Sequence, residues 1–399
     1  MDRMTVRDID VKDKRVLVRV DFNVPLGNDG HITDDGRIRA AIPTIEYLVE
    51  QGAKVVIMSH LGRPDGKVVP SMSLKVTGDR LSELMRHPVQ FANECVGEKV
   101  EQAIAGLNDG DILLLENLRF HPEEEANDEV FAEKLARLGD IFVDDAFGTA
   151  HRAHASIVGV TNYLPAVAGL LLEKELISLG QILETPAKPF CVLFGGAKIA
   201  DKVRLLENVI DKVDTILVGG GMAATFLKAN NYEVGKSIVD EKLDMAVKLM
   251  AKARKYNIKF LLPKDVIVTG DLLPEARGIC VHVEKIPPLG RVVDIGLLTI
   301  NLFTKELERA KTVFWNGPMG IYEMPQFAEG TKTMADVISR LHATTIIGGG
   351  STAEIVGELK LADKMSFVST GGGSSMLFLS GEKLPGVEAL LKINGETAA

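Results

Sequence analysis

Residues 190–202, FCVLFGGAKIADK, decide how the chain is read. Phe190, Cys191, Val192, Leu193 and Phe194 form an unbroken apolar run, the pattern of a strand buried on both faces of a parallel sheet. Gly195 and Gly196 follow, and an amphipathic helix then runs through VRLLENVIDKV. A strand, a tight glycine turn and a helix start present unpaired backbone N–H groups and a positive dipole end. Lys198 and Lys202 share one helix face near that start. Cations there oppose the helix dipole, and a bound polyanion would reverse the penalty. The stretch is therefore either a phosphate site or a helix that tolerates two solvated lysines.

The pattern recurs downstream. DTILVGGGMAATFLKA, TTIIGGGSTAEIVGEL and KMSFVSTGGGSSMLFL each read as strand, triple glycine, helix, with the glycines at 219–221, 348–350 and 371–373. KTVFWNGPMG is a strand that ends in Asn316, Gly317, Pro318 and Gly320, with Glu323 beyond. KFLLPKDVIV reads as one strand that runs on irregularly. Glycine lets backbone N–H groups approach a ligand, although close helix–strand packing also selects it. Several such turns at one sheet edge, with two lysines, favour a nucleotide site.

Upstream, RVLVRVDFNVPL (15–26), AKVVIMSH (53–60), VQFAN, DILLLEN and IFVDDAFG read as strands that alternate with helical segments. Strand–helix–strand order implies parallel pairing, so the first half is also a doubly wound α/β domain. Ligands bind beyond the carboxyl ends of such strands. Those ends carry Asp21 and Asn23, then His60, Gly62 and Arg63 in SHLGRP, then Asn117 and Arg119, then Asp145, Thr149, His151 and Arg152; Arg37 follows the first strand. Arginine forks suit tetrahedral and planar anions. Glu123–Glu125 reads as an acidic helix start. LPAVAGLLLEKELISLGQIL reads as one long helix stopped by TPAKP, and the inter-domain connection is placed there.

Composition bounds the function. The 399 residues are 46% hydrophobic and 25% charged, enough for two cored domains. No apolar run is long enough to span a bilayer. The charged start, MDRMTVRDIDVKDKR, lacks a signal-peptide core. Cys95, Cys191 and Cys280 lack metal-ligand spacing and read as free thiols of a reducing cytoplasm. A net charge of −9 argues against nucleic-acid and membrane partners. Twelve of the eighteen arginines lie in residues 1–152, yet that segment holds 28 acidic against 19 basic side chains. An anion site there must rest on a few placed arginines.

The sequence has no G-x-x-x-x-G-K-[ST] loop, no protein-kinase signature and no H-E-x-x-H. Its candidate groups are cations, glycines and amides. Phosphoryl transfer needs mainly these, because it depends on positioning and on stabilising a charge-rich transition state. An acyl-phosphate donor needs no general base, so His60 and His151 are expected to bind rather than to shuttle protons.

These residues resemble the phosphoglycerate kinase family. VRVDFNVPL, SHLGRP, ENLRFHPEE, DDAFGTAHRAHAS, GGAKIADK, VGGGMAATFLKA, VFWNGPMG, GGGSTAE, STGGGSS and EKLPGVEAL occur in family order over nearly the whole chain. The resemblance implies two Rossmann-like parallel-sheet domains joined by a hinge helix. It places a 3-phosphoglycerate domain at 1–172, the hinge helix and linker at 173–188, a nucleotide domain at 189–384, and a tail at 385–399 that packs back on the first domain. It implies reversible transfer of the acyl phosphate of 1,3-bisphosphoglycerate to ADP, with Mg²⁺, by a cytoplasmic monomer. It assigns the phosphoglycerate to Asp21, Asn23, Arg37, the loop His60, Leu61, Gly62 and Arg63, and to Arg119 and Arg152. It assigns catalysis to Arg37, Lys198, Lys202, Gly372 and Gly373. The nucleotide falls to Lys202, Gly219, Gly220, Asn316, Pro318, Glu323 (as ribose contact) and the turn Gly349, Gly350, Ser351 and Thr352.

Three positions depart from the family pattern. Ser351 stands where an Mg²⁺-binding Asp is usual, and a neutral hydroxyl is a weaker ligand for a hard cation. GRVVDIGLL lacks the usual tryptophan and has Leu297 where Pro is common; Phe367 replaces a common His. Two rivals remain at this point. GGGSTA (348–353) fits the fingerprint of an NAD-dependent dehydrogenase, although no acidic residue is clear about 20 residues on. A non-catalytic two-lobed binding protein is the other.

Overall fold

The computed structural model describes residues 2–197 and 199–393. Residues up to Ile177, with those from Lys383 on, form one compact unit, and Ser178–Glu382 form a second. The division falls inside the helix Leu170–Glu184.

The first unit holds six strands, β1 (Arg15–Arg19), β2 (Lys54–Met58), β3 (Val89–Phe91), β4 (Ile112–Leu114), β5 (Ile141–Asp144) and β6 (Ala166–Ala168). They pair in the order β3-β4-β2-β1-β5-β6, all parallel. From β1 the chain first winds one way, to β2, and later returns to the other side at β5. The carboxyl ends of β1, β2 and β5 therefore flank the switch point where ligands bind in such sheets. Buried Val16, Val18, Ile57 and Val143 pack with Ile38, Ala41, Ile45 and Leu48 of the helix Gly36–Glu50.

β6 was hidden in the sequence inside the expected long helix. Its three apolar residues merge with the helical run that follows, and only position separates them. Ala168 bonds Met4 and Val6 of the N-terminal segment, while Asp145 Oδ1 accepts the N–H groups of Leu171 and Leu172. That long-range cap starts the helix at Leu170 rather than at Leu164. The same contacts give Asp145 a structural role in place of the ligand contact that its strand end suggested.

The second unit repeats the design with β7 (Phe190–Phe194), β8 (Thr215–Val218), β9 (Lys259–Leu261), β13 (Thr312–Asn316), β14 (Thr344–Gly348) and β15 (Phe367–Val368), all parallel in the order β15-β14-β13-β7-β8-β9. Its switch point lies between β7 and β13. The sequence reading missed a third, antiparallel sheet: β10 (Asp265–Thr269) pairs with β11 (Ile279–His282) and β12 (Arg291–Ile295). KFLLPKDVIV is two strands in two sheets, parted at Pro263, which lacks the N–H a ladder needs.

Candidate active site

In the first unit the strand ends bring their polar residues together. Arg37, at the start of the helix Gly36–Glu50, pairs with Asp21. Asp21 Oδ1 lies 3.9 Å from His60 Nδ1. Asn23 Oδ1 accepts the Gly62 N–H at 2.8 Å. Asn117 Nδ2 donates to the carbonyls of Leu61 (2.7 Å) and Met72 (2.9 Å), and Arg119 Nη1 donates to that of Gly62 (2.8 Å). Three side chains from two other strand ends thus fix the His60–Arg63 loop. Gly62 is needed there: its φ is +66°, and an added Cβ would stand 2.8 Å from Met72 Sδ. Arg63 is exposed and makes no hydrogen bond or ion pair among the described residues, so the structure leaves it at the rim of the cluster.

The electrostatics converge on His60. Burial holds its imidazole well below the usual range, and the charges of Arg19, Arg119, Arg37 and Arg152 press the same way. Arg19 Nη2 lies 3.2 Å from His60 Nδ1. A guanidinium can only donate, so Nδ1 accepts and the proton of the neutral ring sits on Nε2. Burial, then the like charge of Arg152, draws the Arg119 guanidinium down to about 10. It stays charged near neutrality. Its Nε is buried without a hydrogen bond, although Glu125 Oε1 stands 3.3 Å away. Glu125 also lies 3.8 Å from Arg152 Nη1. The cluster is a set of fixed cations with one buried donor left over, as an anion site requires.

Arg19 was overlooked in the sequence because it lies within an apolar strand, yet a charged residue at a buried strand position was itself the signal. It is fully buried. Arg19 Nε donates to Ser156 Oγ at 2.9 Å, and that hydroxyl donates to Glu124 Oε1 at 2.6 Å. Burial opposes a charge on Glu124, but the His154 imidazole, whose Nδ1 lies 3.5 Å from Oε1, and the nearby Arg19 outweigh it and keep the carboxyl below its usual range. Glu124 is thus a buried counter-ion beneath the cluster as well as part of an acidic helix start.

In the second unit the turn after β7 and the loop after β13 are stitched together. Gly195 N–H donates to Asn316 O (2.9 Å) and Gly196 N–H to Pro318 O (2.8 Å). An added Cβ on Gly195 would come within 2.0 Å of Pro318 O, so close packing selects that glycine. Beside this seam a cavity of about 240 Å³ is lined by Gly196, Lys202, Asn316, Pro318 and the turn Gly349, Gly350, Ser351 and Thr352. The helix Gly350–Glu358 points its first N–H groups there. Thr352 Oγ1 accepts the Gly317 N–H and Asn316 Nδ2 donates to Gly348 O, so these two side chains shape the cavity by bracing its loops. Lys198 lies outside the described residues. Gly372 has φ +51° in open space, with Gly373 opening the helix Gly373–Leu379.

Gly219 and Gly220 differ from expectation. Their N–H groups donate to Phe194 O (2.7 Å) and Met319 O (3.0 Å). A Cβ on Gly220 would meet Gly196 N at 2.5 Å. These glycines serve backbone packing rather than offering amides. A second cavity of about 240 Å³ shares Gly196, Ala197 and Pro318 with the first, and its lining includes Gly221, Arg291 and the exposed Glu323. The amide-lined and largely apolar chambers are thus adjacent parts of one groove. Neither Gly221 nor Arg291 was singled out from the sequence as a site residue.

Among the described residues that line the phosphate-sized chamber there is no carboxylate. Among the described residues no group of three or more His, Cys, Asp and Glu side chains could hold a metal ion. The three cysteines are free. Among the described residues no helix is long and apolar enough to cross a membrane.

Comparison with known proteins gives a consistent result. The family model for phosphoglycerate kinase matches residues 6–382. The phosphoglycerate kinase of Pelotomaculum thermopropionicum is 53% identical over 98% of this chain and all of that protein. That of Dictyoglomus turgidum is 52% identical over 97% of this chain and 98% of its own. Among solved structures, phosphoglycerate kinase from Coxiella burnetii superposes with a TM-score of 0.86 at 39% identity, covering 97% of this chain and 98% of the other. These matches overturn the dehydrogenase reading of GGGSTA. Its glycines open the helix that closes the amide-lined chamber, and Asp363, the nearest acidic candidate, sits in a short turn at 362–364.

Proposed function

The chain belongs to the phosphoglycerate kinase family, and from that premise we propose how its two groups of residues divide the work. The activity is transfer of a phosphoryl group between the carboxyl group of 3-phosphoglycerate and a nucleoside diphosphate. The arginine cluster of the first unit holds the phosphoglycerate. Arg119, Arg152 and Arg63 take its phosphate and carboxylate, while Asp21 and Asn23 take its hydroxyl. His60 donates through Nε2–H as a neutral ligand. The observation that carries this assignment is the shared field at His60, where four arginines act on one buried ring. The amide-lined chamber of the second unit holds the nucleotide phosphates through Lys202 and residues 350–352. Glu323 at the apolar chamber holds the ribose.

Arg37 and the two lysines neutralise the phosphoryl group in flight, with the amides at Gly372 and Gly373. Reacting oxygen and phosphorus must approach to about 3–3.5 Å, so we include a closing motion about the helix Leu170–Glu184. Attacking and leaving oxygens are both stable anions near neutral pH, which leaves no proton to be moved. A protein-held Mg²⁺ does not fit the described lining of the chamber, whose side chains supply no anionic oxygen. The ion would be bound by the nucleotide's own phosphates and by water. Free thiols support a reducing cytoplasmic setting, and separate cores in the two units support a working monomer.

The assignment is tested by coupled ATP consumption with 3-phosphoglycerate, with and without Mg²⁺, in wild type and Arg37→Ala. Arg37→Ala should lower kcat by at least about 100-fold with nucleotide binding intact, as for loss of a preorganised transition-state contact. A variant that loses only substrate affinity would remove Arg37 from the catalytic set.

A further inference from the structure

The chain passes between the two units twice, within the helix Leu170–Glu184 and again between Glu382 and Lys383. Both crossings are anchored in the first unit at one place, the end of β5. Asp145 caps the helix: its Oδ1 accepts the N–H groups of Leu171 (2.9 Å) and Leu172 (3.1 Å), and the Asp144 carbonyl accepts that of Gly169 (2.8 Å). The C-terminal segment lies on the Asp144 side chain. Gly386 N–H donates to Ala150 O at 2.8 Å, and a Cβ added to Gly386 would stand 3.1 Å from Asp144 Oδ2. Both carboxyl groups are fully buried, and in each the Oδ2 atom has no hydrogen-bond partner among the described residues. Neighbouring residues at a strand end face opposite ways, so one reaches each crossing.

We propose that Asp144 and Asp145 form a proton-operated latch on both crossings: protonated, they hold the helix start and the C-terminal segment against β5, and ionised, they loosen them. A buried carboxylate oxygen that meets no donor disfavours the anion. The protonated acid still offers an acceptor oxygen to the helix cap. Burial pushes the Asp144 carboxyl up to about 6, against the Ala146 N–H and the charge of Arg19. Burial pushes that of Asp145 up to about 7, against Thr44 and the two capping N–H groups, and the charge of Asp144 adds to the rise. Arg19, in register with Asp144 on β1, turns its donors to Ser156 and His60. The other charges on the elements packed around the pair are matched elsewhere: His154 lies by Glu124, Arg7 pairs with Glu173, and Arg3 and Lys383 pair with Glu388 at 2.9 and 3.3 Å. A loosened anchor gives its carboxyl to water, where it titrates near 4, so the docked state binds the extra protons. Docking is favoured in full below about pH 4 and loses ground as pH rises through 6 and 7. The consequence is a hinge that stiffens in acid. The inference concerns the anchors alone and stands apart from the assignment of substrates.

The test is hydrogen exchange of the full chain, read by mass spectrometry at pH 5, 6.5 and 8 and corrected for intrinsic rates, in wild type, Asp144→Asn and Asp145→Asn. In wild type the opening equilibrium should rise about tenfold from pH 5 to 8 at residues 385–391 and more steeply at 170–177, as for carboxyls that move from about 6 and 7 to about 4. Asp144→Asn keeps an acceptor for the Ala146 N–H and should flatten the C-terminal profile. By removing a like charge it should also move the helix profile to lower pH. Asp145→Asn should flatten the helix profile. A fold defect would show as faster exchange across β1 and β2 as well. Wild-type protection that is constant over this range, or a C-terminal profile that Asp144→Asn leaves unchanged, overturns the inference. Should Asp145→Asn fail to fold, the Asp144→Asn comparison decides by itself.

Discussion

Ser351 and Asp294 show how much one side chain can set. Ser351 is exposed at the first turn of the helix Gly350–Glu358, beside the amide-lined chamber. An aspartate there would add the anionic oxygen that the chamber lacks and would also favour the helix dipole. Ser351→Asp should lower the Mg²⁺ concentration for half-maximal activity by about tenfold, roughly one hard carboxylate ligand. An unchanged Mg²⁺ titration would show that the ion does not reach this helix start. Asp294 accepts the N–H groups of Ile295 and Gly330 at 2.8 Å each. Burial nonetheless pushes its carboxyl up to about 7. Its folded form therefore holds a proton that the unfolded chain has already lost above about pH 4. The stability it contributes is full below that pH and is lost as pH rises towards 7. Asp294→Asn removes the titration, so urea midpoints measured from about pH 5 to 8 should fall less steeply than in wild type. The absolute midpoint at low pH should fall, because the amide gives up one of the two N–H contacts.

At the scale of elements, the loop after β2 and the helix start at Glu123–Glu125 tune the arginine cluster. Asn117 is fully buried and anchors two carbonyls from other segments, Leu61 and Met72. Asn117→Ala would orphan both and free the His60–Arg63 loop. We expect a loss of about 2–4 kcal/mol in stability, from two buried acceptors at the usual cost each. The KM for 3-phosphoglycerate should rise while that for nucleotide stays constant; equal changes in both would refute the local role. Glu125 lies between Arg119 and Arg152 and competes with any incoming anion. Being half-exposed, it contributes little, so Glu125→Gln should tighten 3-phosphoglycerate by about two- to fivefold. Weaker binding in that variant would mean that Glu125 orients the arginines instead. Much of this was legible beforehand. His60, Arg119 and Arg152 follow strand ends and Arg37 opens a helix, and both are local signals. The roles of Gly219 and Gly220 were not legible, because a glycine chosen for packing and one chosen for a ligand look the same in sequence.

Over the whole molecule, both chain ends complete the first unit. Met4 N–H donates to Leu391 O, Leu391 N–H to Ala166 O, and Arg3 bonds Leu390 O and pairs with Glu388 at 2.9 Å. Beyond β6, the edge strand of the sheet, the N-terminal segment and the C-terminal one supply the next backbone partners, which blunts that edge. Removing the chain from Lys383 on should lower the first unit's stability by several kcal/mol, given the bonds and the buried Leu384 and Leu390 that are lost. Calorimetry would show this as a downshift of one unfolding transition, and an unchanged profile would count against it. Residues 394–399 of the expected tail lie outside the described residues. By itself the sequence determined two α/β halves, their parallel sheets, the family and most of the side chains that gather in the arginine cluster. Those properties are written in periods of two and 3.6 and in short motifs. Only the tertiary structure decided the antiparallel β10–β12 sheet, the strand at Ala166–Ala168, the buried Arg19–Ser156–Glu124 chain and the unsatisfied oxygens of Asp144 and Asp145. Arg19 and Ser156 are 137 residues apart. Whether a polar atom finds a partner depends on what folding brings beside it, and no local pattern carries that information.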